Sequence, residues 1–238
     1  NINFVPNQDI NENTWFRIWS MSKIVTISIT MDLVEEGLLD LADPVSKYIP
    51  EFNDIKVAVA NDGESLTTYA QALGNDKSNL DNPCPIKIIE RETEMTVLQL
   101  INHQAGFYYS TTGIDCLDNG LAMKNLADSK NSNEFIQKLS ELPLIDQPGK
   151  KDFYGLNTTV LGIVNERATG KTLDELVKNR ITGPLNIEGL RYNKNTDTKL
   201  LPVFSGADSI IRLANKGELD IMGKYVPGYG INNELFLG

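Results

Sequence analysis

Histidine, basic residues and long apolar runs are all scarce in this chain, and each scarcity argues against a class of function. A single histidine, His103, gives no support to a metal site. The 22 lysines and arginines are outnumbered by 32 acidic residues, and the net charge of −10 argues against a nucleic-acid or anionic-membrane partner, since both need a basic face. The longest apolar run, 24–34, is interrupted by polar residues and is too short to span a bilayer.

Cysteine is also rare. Cys84 and Cys116 are the only two, in polar loops on either side of a predicted helix over 96–106. They can form a disulfide if the chain is exported, or they can be two ordinary thiols. The chain opens without an initiator methionine and without a basic, apolar leader, so we expect a mature or cropped sequence. A periplasmic or secreted location is ranked ahead of the others, and the compartment is otherwise open.

One short segment carries chemistry: Ser20-Met21-Ser22-Lys23, where an aromatic, extended stretch turns into a helical pattern. Side chains three residues apart on a helix are neighbours, so the Lys23 amine can reach the Ser20 hydroxyl. A serine becomes a good nucleophile when a neighbouring base takes its proton, and a lysine can do so in its neutral form. The unpaired N–H groups of the helix N-terminus favour developing negative charge, so the Ser20 amide can serve as one oxyanion donor.

The rest of the chain is mostly helical in pattern. Apolar spacing predicts a helix over about 20–37 that stops at Gly37, and further helices at about 96–104, 132–141, 158–168 and 173–181. Strand signals are scarce, and the 206–238 stretch is predicted to hold one helix. Residues 56–92 form a polar insertion that is too long for a simple connection, so it is expected to cover the active site or to hold a partner.

Several segments, in this order, resemble the serine β-lactamase and penicillin-binding-protein-like hydrolases, especially the class C β-lactamase and family VIII carboxylesterase branch. The resemblance runs from about residue 14 to residue 192. It is carried by 16–23, 33–41, Asp43-Pro44-Val45, Tyr48-Ile49-Pro50, 101–107, Gln147-Pro148-Gly149, 153–157 and Val160-Leu161-Gly162.

The resemblance implies a role for three residues: Ser20 as the nucleophile, Lys23 as its base and Tyr154 as the third member. A lysine close to a phenol favours the phenolate, so such a pair can share the proton that passes from the serine to the leaving group. The same resemblance implies that His103 ends a helix in a structural role. The alternative for Tyr154 is an ordinary half-buried aromatic residue with a satisfied hydroxyl.

The chain also departs from the family pattern. Class C enzymes have an asparagine two places after the tyrosine, where this chain has Leu156 followed by Asn157, so esterase-like members are the better match. The family's late Lys/His/Trp-x-Gly motif is not found. Gly170-Lys171-Thr172 is predicted instead to lead into a helix, with Thr172 as N-cap and Glu175 completing a capping box. Asn165 stands where a phosphate-binding loop would need glycine.

These observations predict an α+β, β-lactamase/transpeptidase-like fold. We expect 1–238 to be a single, incomplete domain that contains mostly the helical region, with the antiparallel sheet, the second oxyanion donor and the third motif outside it. The expected function is hydrolysis of an ester, amide or β-lactam carbonyl through an acyl-enzyme, with esterase or peptidase-like activity ranked above β-lactamase. The partner is then a small molecule or peptide, no cofactor is needed, and the oligomeric state is open. The alternative is a non-catalytic homologue that binds peptides or a protein partner in the same cleft.

Overall fold

We analysed a computed structural model of the chain, which describes residues 10–67, 86–192, 201, 204–205 and 212–213. Helices dominate this part. They are α1 (Ser22–Glu35), α2 (Val97–Ile101), α3 (Asp115–Lys124), α4 (Ser132–Ser140), α5 (Asn157–Thr169) and α6 (Leu173–Val177). The strands are β1 (Val57–Ala60), β2 (Ile86–Ile89), β3 (Phe204–Ser205) and β4 (Arg212–Leu213). Short 3₁₀ turns lie at Trp19–Met21, Val45–Lys47, Pro50–Phe52 and Leu126–Asp128, and a π-helical turn, Lys178–Thr182, extends α6.

The helix α1 packs against α5, and its buried residues include the polar Lys23, Thr26 and Thr30. Ile29 and Leu33 are completely buried on its core side. It ends as predicted: Gly37 has a φ of 72°, a left-handed conformation that glycine adopts without the steric cost of a Cβ. The predicted helix over 20–37 is therefore confirmed, with a 3₁₀ turn at its start.

The helix α5 is the central element of the fold. Its first nine residues, Asn157 to Asn165, are all buried. Since α1 lies directly against it, the start of α1 and the segment just before α5 meet on one side of the molecule. This crossing brings Ser20 and Lys23 to Tyr154.

The other predicted helices are present with small changes in their ends. The helix predicted at 96–104 is Val97–Ile101, and the one at 173–181 is α6 followed by the π-helical turn. The capping box at the start of α6 is confirmed: Thr172 accepts from the Glu175 amide, and Glu175 accepts from the Thr172 amide. The helix α3 was not predicted, because its sequence is rich in polar residues and contains Gly120.

The polar insertion over 56–92 differs from the expectation at both ends. Its first residues form β1, which pairs antiparallel with β2 in the register Val57↔Ile89. All four residues of β1 are buried, and Val57 also forms a parallel bridge to Leu144. The first end of the insertion thus belongs to the core, and Ile86 and Ile89 of β2 are partly buried against it. Residues 68–85, the middle of the insertion, lie outside the described residues. The expectation that the insertion covers the site or holds a partner therefore stays a prediction.

Three further expectations concern the cysteines, the helix within 206–238 and a membrane-spanning segment. Cys116 is in a disulfide rather than a free thiol, and Cys84 lies outside the described residues. The helix predicted within 206–238 also lies outside them, except for Arg212–Leu213, which is a strand paired with Phe204–Ser205. No helix in the ranges given above is both long and apolar enough to cross a membrane.

Candidate active site

Ser20 lies in the 3₁₀ turn Trp19–Met21 that leads into α1. The preceding Trp19 has a φ of 49°, a left-handed conformation that is costly for a bulky residue, typically by about 1–3 kcal/mol. This sharp change of direction leaves the Ser20 side chain exposed at the start of the helix. Lys23, one turn later, is buried with only 9% of its surface exposed.

Tyr154 reaches the same place from the other side of the crossing. It stands in an extended segment three residues before α5, and its hydroxyl donates a hydrogen bond to Ser20 Oγ over 2.8 Å. The two residues are 134 positions apart in the sequence. Tyr154 is 52% exposed, so its phenol is open to solvent and to a ligand.

Lys23 completes the group. Its Nζ lies 5.3 Å from the centroid of the Tyr154 ring, close enough for a cation–π contact. In the part of the chain that the structure describes, no carboxylate forms an ion pair with Lys23. The structure therefore brings together all three residues that the sequence singled out.

A close backbone contact fixes the segment next to Tyr154. A Cβ atom added at Gly155 would lie 2.3 Å from the Phe107 carbonyl oxygen and 2.5 Å from Tyr108 Cα. Any side chain here would push the tyrosine segment away from the loop that follows α2. Glycine after Tyr154 is thus required by packing.

Two aromatic residues that sequence reasoning did not place at the site lie against Tyr154. The His103 ring stacks on it with centroids 4.8 Å apart, and the Tyr109 ring lies tilted at 5.7 Å. Burial, and next the positive charge of Lys23, lower the pKa of His103, while Asp152 acts in the opposite direction. His103 follows the end of α2 with a φ of 57°, in keeping with the expected helix-ending position.

Asn157 occupies a different place from the asparagine of the class C pattern. It is completely buried, and its amide nitrogen lies 3.2 Å from His103 Nδ1 and 3.2 Å from the Phe153 carbonyl oxygen. Leu156, the residue two places after Tyr154, is 1% exposed and belongs to the core. Because both side chains are buried, neither is available to a ligand at Ser20. The two residues that stand at and after the class C asparagine position therefore add no polar group to the site.

Known proteins resemble this chain in sequence over most of its described part. The sequence model of the β-lactamase family matches residues 5–199. An uncharacterized protein of Mycobacterium tuberculosis is 28% identical over 92% of this chain and 48% of its own length. Lovastatin esterase of Penicillium rubens is 30% identical over 77% of this chain and 39% of its own length. The chain thus spans about half, or less, of the length of these curated relatives.

The fold has solved counterparts as well. Simvastatin synthase (LovD) from Aspergillus terreus superposes with a TM-score of 0.65 and 20% identity, over 90% of this chain and 49% of that one. This likeness supports the β-lactamase/transpeptidase-like architecture, in its helix-rich part, that the sequence predicted. Since the family model covers well over half of its residues, the chain belongs to the β-lactamase family.

Proposed function

We propose that this chain carries the nucleophile of a serine hydrolase that works through an acyl-enzyme. The observation that supports this most directly is the 2.8 Å hydrogen bond between the Tyr154 hydroxyl and Ser20 Oγ, with the Lys23 amine beside the tyrosine ring. An exposed serine bonded to a phenol, with a buried amine over the ring of that phenol, supplies the kinds of group that an acyl transfer needs. Neither a cofactor nor a metal is required by this chemistry.

The proposed reaction has two halves. In the reactive state that we propose, the Lys23–Tyr154 pair holds one titratable proton between the amine and the phenol, so it can accept a second. Ser20 Oγ attacks the carbonyl carbon of the substrate while its proton passes to this pair, and the Ser20 N–H stabilises the tetrahedral oxyanion. The bond from that carbon to the leaving oxygen or nitrogen then breaks, and the leaving group takes the proton from the pair. In the second half a water molecule attacks the acyl-serine ester, gives its proton to the pair, and Ser20 Oγ is released with that proton restored.

We rank esters and peptide-like amides above β-lactams as substrates. The departure from the class C pattern supports this order, since Leu156 and Asn157 are both buried. The names of the curated relatives point the same way, because they include a lovastatin esterase and a methylbutanoyltransferase acting on ML-236A carboxylate. An acyl-enzyme can pass its acyl group to an alcohol as well as to water, so transfer to an alcohol is part of the proposal.

A covalent probe tests the proposal. A fluorophosphonate should label the protein and Ser22→Ala but not Ser20→Ala, with the labelled residue located by mass spectrometry. Ser22 is the matched control, since it lies two residues away and its hydroxyl donates to the Trp19 carbonyl rather than to Tyr154. Turnover of p-nitrophenyl butyrate against nitrocefin then ranks the substrates. Absence of labelling in the protein would favour the binding homologue, and equal labelling of Ser20→Ala would exclude Ser20 as the nucleophile.

A further inference from the structure

We infer that His103 is a positioning residue for Tyr154: its neutral ring, fixed by the side chain of Asn157, forms the surface against which the phenol lies while its hydroxyl reaches Ser20. This inference rests on the proposed function. It assigns His103 a part in holding the reactive geometry, and not merely in ending α2.

Tyr154 needs such a surface because few other groups in the described ranges hold its ring. The side chain is 52% exposed, and its ring contacts His103, Tyr109 and Lys23. Of the two aromatic neighbours, His103 is closer and more nearly parallel, with an interplanar angle of 28°. Without that ring, the phenol would be free to leave the rotamer in which its hydroxyl bonds to Ser20.

His103 is itself fixed through both its backbone and its side chain. Its carbonyl accepts a hydrogen bond from the Phe153 amide over 2.8 Å, directly before Tyr154 in the chain. Its ring nitrogen Nδ1 lies 3.2 Å from the amide nitrogen of Asn157 at the start of α5. His103 therefore contacts the tyrosine segment both before Tyr154, at Phe153, and after it, at Asn157.

The orientation of the Asn157 amide follows from its other neighbours. The carbonyl oxygens of Phe107 and Phe153 lie 3.4 and 3.2 Å from Nδ2, and carbonyl oxygens only accept. Nδ2 is therefore the NH₂ group, so His103 Nδ1 must be the acceptor. The neutral ring then carries its proton on Nε2.

A protonated ring does not fit this arrangement. It would direct an Nδ1–H group at the NH₂ of Asn157 and add a positive charge near Lys23. Among the described residues, the charged and titratable groups facing His103 are Lys23 from α1 and, from the segment before α5, Asp152 and Tyr154. Of these, Asp152 favours the protonated form. Protonation of His103 should therefore loosen Tyr154 and slow acylation.

Two variants separate this role from simple structural support. His103→Ala removes the ring, whereas His103→Phe keeps an aromatic surface and removes the nitrogen that titrates. We expect His103→Ala to lower kcat for p-nitrophenyl butyrate about 10–100-fold, with KM changed less than about 3-fold, since small misplacements of a reacting group have effects of this size. His103→Phe should recover to within about 5-fold of the unmodified protein and should lose the acid-side fall in rate that stems from His103.

The outcomes distinguish the two proposals. If the unmodified protein is not labelled at Ser20 by the fluorophosphonate, the proposed function fails. If it is labelled, and His103→Ala is acylated as fast as the unmodified protein, only the positioning role is overturned. The role is likewise overturned if His103→Phe is as slow as His103→Ala while both melt within a few degrees of the unmodified protein, or if His103→Phe keeps the same acid-side fall.

Discussion

Asn165 of α5 donates its side-chain amide to the hydroxyl of Thr30 in α1 over 2.9 Å, and both residues are completely buried. The same amide nitrogen lies 3.4 Å from the Thr26 carbonyl oxygen. The Thr26 hydroxyl in turn lies 2.5 Å from the Tyr192 hydroxyl, which donates to the Ser22 carbonyl over 3.1 Å. A buried polar chain therefore runs from α5 to the first turn of α1 and sets the register of the two helices that directly follow Tyr154 and Ser20 in the chain.

Replacing Asn165 by leucine should destabilise the protein while keeping the helix crossing filled. We expect the free energy of unfolding to fall by about 1–3 kcal/mol, because Thr30 and the Thr26 carbonyl lose a buried partner. Combining Asn165→Leu with Thr30→Val should cost less than the sum of the single changes, since the double variant leaves fewer polar groups unpaired. Urea unfolding of all four proteins gives the coupling energy, and strict additivity would contradict a direct Thr30–Asn165 interaction.

Tyr154→Phe should slow acylation much more than it changes stability. Removing the hydroxyl removes the hydrogen bond to Ser20 and the proposed proton carrier, so we expect a loss of about 10²–10⁴-fold in kcat. Thermal unfolding should shift little because the side chain is half exposed. The measurement is the rate of acylation by p-nitrophenyl butyrate.

Tyr109→Phe is the matched control for that change. Tyr109 also contacts the Tyr154 ring, but burial, and next the interaction with Tyr154, raise the pKa of its hydroxyl well above the ordinary range. It should remain a neutral phenol, so its hydroxyl is expected to be dispensable to within about 5-fold. An equal loss in Tyr109→Phe and Tyr154→Phe would assign the effect to packing of the aromatic cluster rather than to proton transfer.

Local patterns predicted the parts of this site that are local in sequence. Ser20 and Lys23 are three residues apart, so helical periodicity alone placed them on one face. The end of α1 was predicted at Gly37 because glycine readily adopts the left-handed conformation that ends helices. The pairing with Tyr154 spans 134 positions and came from the family resemblance, because no local rule connects two segments so far apart.

Other features depended on tertiary packing and were missed. The strand β1 is only four residues long and fully buried, so it has no alternating pattern to distinguish it from a loop. The stacking of His103 on Tyr154 arises from the left-handed turn after α2 and the buried amide of Asn157. Neither feature produces a periodic pattern of apolar residues that could be recognised in the sequence. The unusual backbone at Trp19 had no signal either, since tryptophan is a poor residue type for that conformation.

Thr172→Ala should destabilise the start of α6. Thr172 accepts from the Glu175 amide over 3.2 Å, and its own amide donates to the Glu175 carboxylate over 2.8 Å. Losing the cap should lower the free energy of unfolding by about 1 kcal/mol. Thr172→Ser keeps an oxygen in the same place and should retain most of that stability in urea unfolding, so a loss as large as that of alanine would show that the methyl group, not the cap, matters.

The stability of the protein should depend on pH through Glu51. Arg167 of α5 holds both carboxylate oxygens of Glu51, at 2.7 and 2.8 Å. These hydrogen bonds lower the pKa of Glu51 against the opposing effect of burial. A carboxyl with a lowered pKa in the folded state contributes stability that is fully present above its unfolded pKa, about 4.3, and is lost as the pH falls through the folded value.

Glu51→Gln should therefore be less stable than the unmodified protein near pH 7, and the difference should shrink below about pH 4. We expect the difference at pH 7 to be no more than about 1 kcal/mol, because 37% of the Glu51 side chain is exposed and solvent screens the pair. Glu35→Gln, on the exposed side of α1 and without an ion pair in the described ranges, is the matched control for removing one carboxylate charge. Urea unfolding at several pH values between 3 and 7 measures both, and a Glu51→Gln difference that stays constant over this range would contradict the role of the Glu51–Arg167 pair.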